Sequence, residues 1–297
     1  MNLFFLGASG FVGRHALARA RAAGHAAWGT RTRPAADDLI PFDLRRDRLA
    51  PILERLPRDP NQPSFGILCA SIRQIDQCRQ DPAASRAVNC TGTIAALTDF
   101  ARADFTPVFL STSYVFSGAT GNYTEADPPA PVCEYGRQKL EVEQWLTTHH
   151  PQALILRLDK IVGAARAEAH LFSEWQTWLA AGRPLVCIAN QTFSPTDVED
   201  IGCSMLLACE RRLAGIWHTA NPEPFTRAGL ARQFCAQMGH PANVIEKPLS
   251  AFDFADPRPL NTRLDAARFI RATGQRYTPM AATIAAFRQS PARQPPG

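Results

Sequence analysis

Leu3-Phe4-Phe5-Leu6-Gly7-Ala8-Ser9-Gly10-Phe11-Val12-Gly13 says more about the fold than any other stretch of the 297 residues. An apolar run of strand length ends in glycines at 7, 10 and 13, and residues 12–23 continue with apolar residues at helical spacing. Strand, glycine turn and helix in that order have a mechanical reading. Gly7 permits a tight turn, Gly10 lets the backbone approach a pyrophosphate, and Gly13 allows the helix to pack closely on the strand. The unpaired N–H groups and positive dipole end of such a helix favour an anion. Turns use glycine freely, so the triplet gains its meaning from the strand before it and the helix after it. Ser9, Phe11 and Val12 complete the turn and join the three glycines as candidate cofactor contacts.

Downstream, the pattern predicts strands at 26–29, 41–44, 65–70, 107–111 and 153–158. Helices are predicted at 49–56, 83–103, 134–147 and 171–181. This alternation specifies an α/β protein with a Rossmann-type doubly wound parallel sheet, covered by helices on both faces. Beyond about residue 160 the order is less regular. An NADP-binding domain over 1–160 is therefore expected to precede a smaller mixed substrate lobe over 161–289, with some segments returning to the main sheet. The proline-rich end, 290–297, reads as a disordered tail.

Hydrophobic residues at 45% and charged residues at 20% describe an ordinary folded chain and exclude a disordered one. The net charge of +5 comes from arginines spread along the sequence, which fits an anionic small molecule better than nucleic acid. The eight cysteines contain no C-x-x-C pair and read as buried reduced thiols, so no metal is expected. With neither a basic leader before the glycine turn nor an apolar stretch approaching the ~20 residues of a membrane helix, a cytoplasmic protein is expected.

Gly29-Thr30-Arg31-Thr32-Arg33 closes the second predicted strand, where a carboxylate would bind a ribose 2′-hydroxyl and arginine would accommodate a 2′-phosphate. Arg31 and Arg33 thus favour NADP (NADPH) over NAD, the alternative being a solvated edge. Asp43 and Leu44, after the next strand, are candidate adenine contacts.

Tyr135 and Lys139 lie four residues apart, on one face of a predicted helix. A carbonyl reduction needs a proton donor for the forming alkoxide. A phenol with its usual pKa of about 10 is sluggish near neutrality unless a neighbouring ammonium lowers it. Upstream, Ser111-Thr112-Ser113-Tyr114-Val115-Phe116 ends a predicted strand with hydroxyls placed to hydrogen-bond a substrate carbonyl.

Taken with GASGFVG at 7–13, STSYVFSG at 111–118, YTEADPPAP at 123–131, YGRQK at 135–139, PTDVEDIG at 195–202 and RPLNTRLD at 258–265, the chain resembles the extended short-chain dehydrogenase/reductase family. Within that family it is similar to the dTDP-4-dehydrorhamnose reductase branch. The resemblance implies reduction of a nucleotide-linked 4-keto sugar with NADPH or NADH. It assigns Thr112 to orient the carbonyl, Tyr135 to donate the proton, and Lys139 to tune Tyr135 and bind the cofactor ribose. Cys69, Ala70 and Ser71 would line the nicotinamide side. Asn89 would join a proton relay or simply pack its helix.

Where the branch usually has an aspartate after the threonine, this chain has Ser113, which leaves the preferred sugar open. Ser113, Val115 and Arg258 are the substrate-side candidates, Arg258 for the pyrophosphate with Arg263 behind it, while Asn261 would serve the lobe fold. Asp197, Glu199 and Asp200 read as a helix N-terminus rather than a metal site. The expected partners are a nucleotide-linked sugar and, for assembly, a second copy of the chain, with neither nucleic acid nor membrane. Two other readings stay open: an epimerase or dehydratase on the same fold, and a non-catalytic NADP-binding subunit resembling the regulatory subunit of methionine adenosyltransferase.

Overall fold

β1 (Asn2–Leu6) is buried at every position and sits in the middle of the main sheet. This is a computed structural model, and it describes residues 1–291 except 34, 36, 241 and 242. β1 leads through the glycine turn into α1 (Phe11–Ala22) and then β2 (Ala26–Arg31), β3 (Ile40–Pro41), the one-turn α2 (Ala50–Leu53) and β4 (Ser64–Leu68). α3 (Ile75–Gln80) and α4 (Pro82–Arg86) follow, and α4 continues through a π-helical stretch, Ala87–Gly92, into α5 (Thr93–Arg102). β5 (Thr106–Thr112), α6 (Glu134–His149) and β6 (Leu154–Leu158) complete the first part.

The remainder begins with β7 (Ile161–Val162), α7 (Leu171–Ala180), β8 (Leu185–Ile188), β9 (Thr192–Phe193) and β10 (Thr196–Asp197). Then come α8 (Val198–Glu210), β11 (Gly215–Thr219), β12 (Phe225–Thr226) and α9 (Arg227–Met238). β13 (Val244–Lys247), α10 (Ala267–Thr273) and α11 (Met280–Gln289) end it.

Seven strands form one parallel sheet in the order β3-β2-β1-β4-β5-β6-β11. The expected doubly wound α/β fold is therefore the observed one. Alternation along β1 sends Leu3 and Phe5 to one face, against Ala16 and Leu17 of α1 and Ile201 and Met205 of α8. Phe4 and Leu6 go to the other, against Leu97 and Phe100 of α5 and Val142 and Leu146 of α6. Because both faces are covered, the strand reads as a continuous apolar run rather than an alternating one. The chain reverses direction across the sheet between β1 and β4, so the loops at their carboxyl ends diverge and leave a crevice.

A separate core joins Phe172 and Trp175 of α7, Phe234 of α9 and Phe287 of α11, with Phe172 and Phe234 stacked at 5.2 Å. Two-stranded sheets β7–β10, β8–β13 and β9–β12 lie alongside. β11 hydrogen-bonds to β6, so a late segment adds to the first sheet. The predicted 49–56 helix is a single turn at Ala50–Leu53, the third strand is only two residues long, and the 83–103 helix is interrupted by the π-helical turns. Of the expected tail, 292–297 lie outside the described residues; Ser290 follows α11, and its hydroxyl accepts from the Arg166 N–H. No helix among the described residues is long and apolar enough to cross a membrane.

Candidate active site

A cavity of about 1120 Å³ opens at the carboxyl ends of β1, β4, β5 and β6 and extends under α7 and α11. Gly7, Ser9, Gly10, Phe11, Val12 and Gly13 line one end. Gly7 has φ +89°, and a Cβ there would lie 2.7 Å from the Ala70 amide nitrogen. At Gly13 a Cβ would meet the Gly7 carbonyl oxygen at 2.4 Å, so a side chain would force α1 off the turn. Thr30 Oγ1 accepts from the Gly7 N–H at 2.9 Å and fixes the loop. No side chain caps the first turn of α1, whose amides therefore remain available to an anion. A dinucleotide pyrophosphate fits this cradle: the backbone is close, Cβ atoms are missing and donors are free.

Cys69, Ala70, Ser71, Thr112, Ser113, Tyr135 and Lys139 line the same cavity, so the structure brings these predicted residues together. α6 carries Tyr135 and Lys139 and begins on a cap from far away in sequence: Asp256 Oδ2 accepts from the Glu134 N–H at 2.6 Å. Behind the site, Arg157 Nε and Nη2 grip the Glu143 carboxylate at 3.0 and 2.7 Å, with both side chains buried, and Ser111 Oγ also donates to it. That pair pins α6 to β5 and β6.

Lys139 Nζ donates to the Leu110 carbonyl at 2.8 Å and lies over the Phe109 ring at 4.5 Å. Burial lowers its pKa to about 8, against the opposing pull of Glu143. The expected lowering of Tyr135 is not what this geometry yields. Burial drives the phenol well above its ordinary range, and Arg73 and the Ser71 hydroxyl oppose it only in part. The physical reason is the loss of hydration around the phenol, while the Lys139 ammonium, 5.9 Å from the centre of the Tyr135 ring, gives its hydrogen bond to the Leu110 carbonyl. Thr112 Oγ1 accepts from the Tyr114 N–H at 3.2 Å.

Asn89 sits in the π-helical stretch. Its Oδ1 accepts from Ser71 Oγ and the Ile72 N–H at 3.1 and 2.8 Å, and its Nδ2 donates to the Ile72 carbonyl and Gln138 Oε1, each at 2.8 Å. It ties the loop after β4 to α6. Cys69 lines the cavity, but burial pushes its thiol up to about 12, which leaves it a poor nucleophile. All eight cysteines are free thiols.

Other predicted residues stay outside the cavity. Arg31 Nη1 pairs with Asp37 at 2.5 Å and its Nε donates to the Arg33 carbonyl at 2.5 Å, which folds the guanidinium back on its own loop; Arg33 is exposed, and Thr32 lines the cavity instead. The Asp43 carboxylate is held by Arg45 at 2.6 and 3.0 Å, which lowers its pKa to about 2, while Leu44 packs against the core under α5. Val115 is fully buried in a small core with Phe116 and Leu264, so it cannot touch substrate as expected.

Arg258, expected at the substrate pyrophosphate, does not line the cavity. It pairs with Asp76 at 2.8 Å, donates to the Asp256 carbonyl and lies over the Phe254 ring at 4.4 Å, consumed in strapping the C-terminal segment to α3. Arg263 donates to the Asn122 side-chain oxygen, and Asn261 holds the Thr120 carbonyl. Asp197 caps α8 through the Glu199 N–H, Glu199 pairs with His15, and Asp200 accepts from Thr278, so the three carboxylates do not converge.

Further charged groups line the cavity that no motif in the sequence pointed to. Arg73, Lys160, Arg166 and Arg227 all line it, and none has an ion-pair partner among the described residues. Desolvation at the cavity wall, with the Arg227 and Arg73 guanidinium groups nearby, holds the Lys160 ammonium below its ordinary range even though the residue is exposed. Asp159 lines the cavity too, and burial raises it to about 6. Arg73, Asp159 and Lys160 follow the predicted 65–70 and 153–158 strands closely; in a parallel sheet, residues just beyond a strand's carboxyl end were the available signal.

The sheet order, the glycine cradle and the Thr112, Tyr135, Lys139 set in one cleft define a Rossmann-type protein of the short-chain dehydrogenase/reductase kind. The chain belongs to the family described as RmlD substrate binding domain, which matches residues 1–290. It is 32% identical over 278 residues to the probable low-salt glycan biosynthesis reductase Agl14 of Haloferax volcanii, covering 90% of each chain. It is 30% identical over 200 residues to the dTDP-4-dehydrorhamnose reductase of Mycobacterium tuberculosis, covering 65% of each. Among solved structures, the dTDP-4-dehydrorhamnose reductase of Bacillus anthracis in complex with NADP matches with a TM-score of 0.83 at 20% identity, over 97% of this chain and 99% of that one. That last likeness is one of fold.

Proposed function

We propose that the protein is an NADPH-dependent reductase of a nucleotide-linked 4-keto, 6-deoxy sugar, acting in the cytoplasm. The observation that carries this reading is the single cavity lined by both the Gly7–Gly13 turn and Thr112, Tyr135 and Lys139. The relatives named as reductases support the reaction class, and the dTDP-4-dehydrorhamnose reductase among them supports the substrate class. The NADP in the Bacillus anthracis structure and the lack of a carboxylate at the end of β2 support the choice of cofactor.

A bound nicotinamide supplies the hydride. The chain's own residues do the rest. Thr112 directs its hydroxyl at the carbonyl, and Tyr135 gives up its proton to the oxygen as it becomes an alkoxide. A phenol raised by burial carries its proton at neutral pH but holds it tightly, so a positive charge is needed to let it go. Lys139, buried beside it, offers a positive charge that offsets the phenolate left behind. Arg73, Lys160 and Arg227 balance the diphosphate of the substrate.

Tyr135→Phe tests the assignment. NADPH consumption with dTDP-4-dehydrorhamnose should fall at least about 100-fold while NADPH binding, read by fluorescence, is unchanged. Full activity in this variant would remove Tyr135 from the chemistry.

A further inference from the structure

Register pairs Thr112 of β5 with Leu158 of β6, so Ser113 and Asp159 leave the sheet side by side. Asp159 Oδ1 accepts from Ser113 Oγ at 2.8 Å and from Thr262 Oγ1 at 2.9 Å, and Oδ2 accepts from the Ser194 N–H at 2.6 Å. These donors come from three separate segments, and both hydroxyl donors are at least 96% buried. The carboxylate is thus held in one orientation while its residue still lines the cavity beside Thr112. Two of these donors fall on Oδ1 and one on Oδ2, and the Lys160 N–H also acts on the carboxylate, so the open acceptor position is on Oδ2, and an ionised carboxylate can only accept. Phosphoryl, carboxylate and carbonyl oxygens are repelled there, whereas a hydroxyl is welcomed.

We propose that Asp159 is a specificity-determining residue: its anchored carboxylate accepts a hydrogen bond from the sugar hydroxyl on the carbon next to the reacting carbonyl. The assignment rests on the reductase reading, which has Thr112 at that carbonyl. It also gives Ser113 a role, since the charge beside the reaction centre comes from β6 and Ser113 holds it in place. In Asp159→Asn, Ser113 and Thr262 keep the amide oxygen, while the amide nitrogen turns a donor toward the substrate and also loses the bond from the Ser194 N–H, a loss that would fall equally on both sugars.

The test compares kcat/KM of wild type and Asp159→Asn, using NADPH with dTDP-4-dehydrorhamnose and with its 3-deoxy analogue. Removing the hydroxyl should cost the wild type roughly 10- to 100-fold, and Asp159→Asn should cost about the same on the intact sugar. The two changes together should add less than about threefold, since they remove the same bond. Losses that multiply in full, or no loss from either, would overturn the assignment.

Should Asp159→Asn fail to fold by thermal melt, the double variant Ser113→Asp, Asp159→Ser returns the carboxylate from the neighbouring strand. It should again prefer the hydroxylated sugar; a folded double variant indifferent to the hydroxyl would overturn the proposal. Wild-type protein that leaves NADPH unconsumed with the intact sugar would overturn the reductase reading itself, a result distinct from multiplicative losses in an active enzyme.

Discussion

Lys139 is the residue in which burial and chemistry meet most directly. Its ammonium is paired with a neutral carbonyl, and burial brings its pKa to about 8. Raising the pH through that value removes the charge that offsets the phenolate of Tyr135. The expected outcome is a kcat/KM for the sugar that falls as pH rises through about 8, read from steady-state rates in NADPH. Lys139→Arg should move that fall upward, because a guanidinium stays charged throughout; an alkaline limb that does not move would point to another group. Tyr135 and Lys139 were legible in sequence because their relation is local, one helical turn apart. Asp159 was not, because its partners lie 46, 35 and 103 residues away and meet it only through strand register and the return of the C-terminal segment. Arg258 was misread for the same reason: its partner Asp76 belongs to α3, a helix the periodicity did not reveal.

At the scale of elements, the site depends on how closely α6 approaches the turn after β5. Gly136 makes that approach, since a Cβ there would stand 2.1 Å from the Tyr114 carbonyl oxygen, a backbone atom with no rotamer to escape into. Gly136→Ala should therefore push the first turn of α6 outward and carry Tyr135 with it. A displacement of about 1 Å at a reacting group costs on the order of 100-fold in rate. We expect a loss of that size in kcat together with a lower melting temperature, because overpacking against backbone costs about 1–3 kcal/mol and outweighs alanine's preference for the helix. Unchanged kcat would mean that α6 is not held by this contact. Helix boundaries on both sides of the π-helical stretch escaped the sequence pattern because one extra residue per turn preserves the apolar periodicity to either side.

Across the whole molecule, His15 joins parts that the sequence keeps far apart. Its ring meets Glu199 of α8 at 2.5 Å and Glu168, in the segment before α7, at 2.8 Å. The hydrogen bonds to these carboxylates raise its pKa above 6.5 despite burial. A cation favoured in the folded state adds stability that is fully present below pH 6.5 and is lost as pH rises through the higher folded value. His15→Gln should accordingly lower the melting temperature most near pH 6 and least near pH 9, which differential scanning calorimetry at the two values would show. A pH-independent difference would exclude the charged pairings.

The parallel sheet with helices on both faces was legible in the alternation of strands and helices and in the glycine turn, both of which report local geometry; the order of its strands was not. The addition of β11 beside β6 and the shape of the cavity's far side were not, since they arise only when the late segments fold back.

Hydride transfer to the sugar is tested most directly by isotope labelling. Wild-type protein would be incubated with dTDP-4-dehydrorhamnose and NADPH carrying deuterium on the transferable position of the nicotinamide, and the product read by mass spectrometry and NMR. One deuterium is expected on carbon 4 of the sugar for each NADPH consumed. NADPH that binds but stays unconsumed, or a product with no label at carbon 4, would contradict hydride transfer.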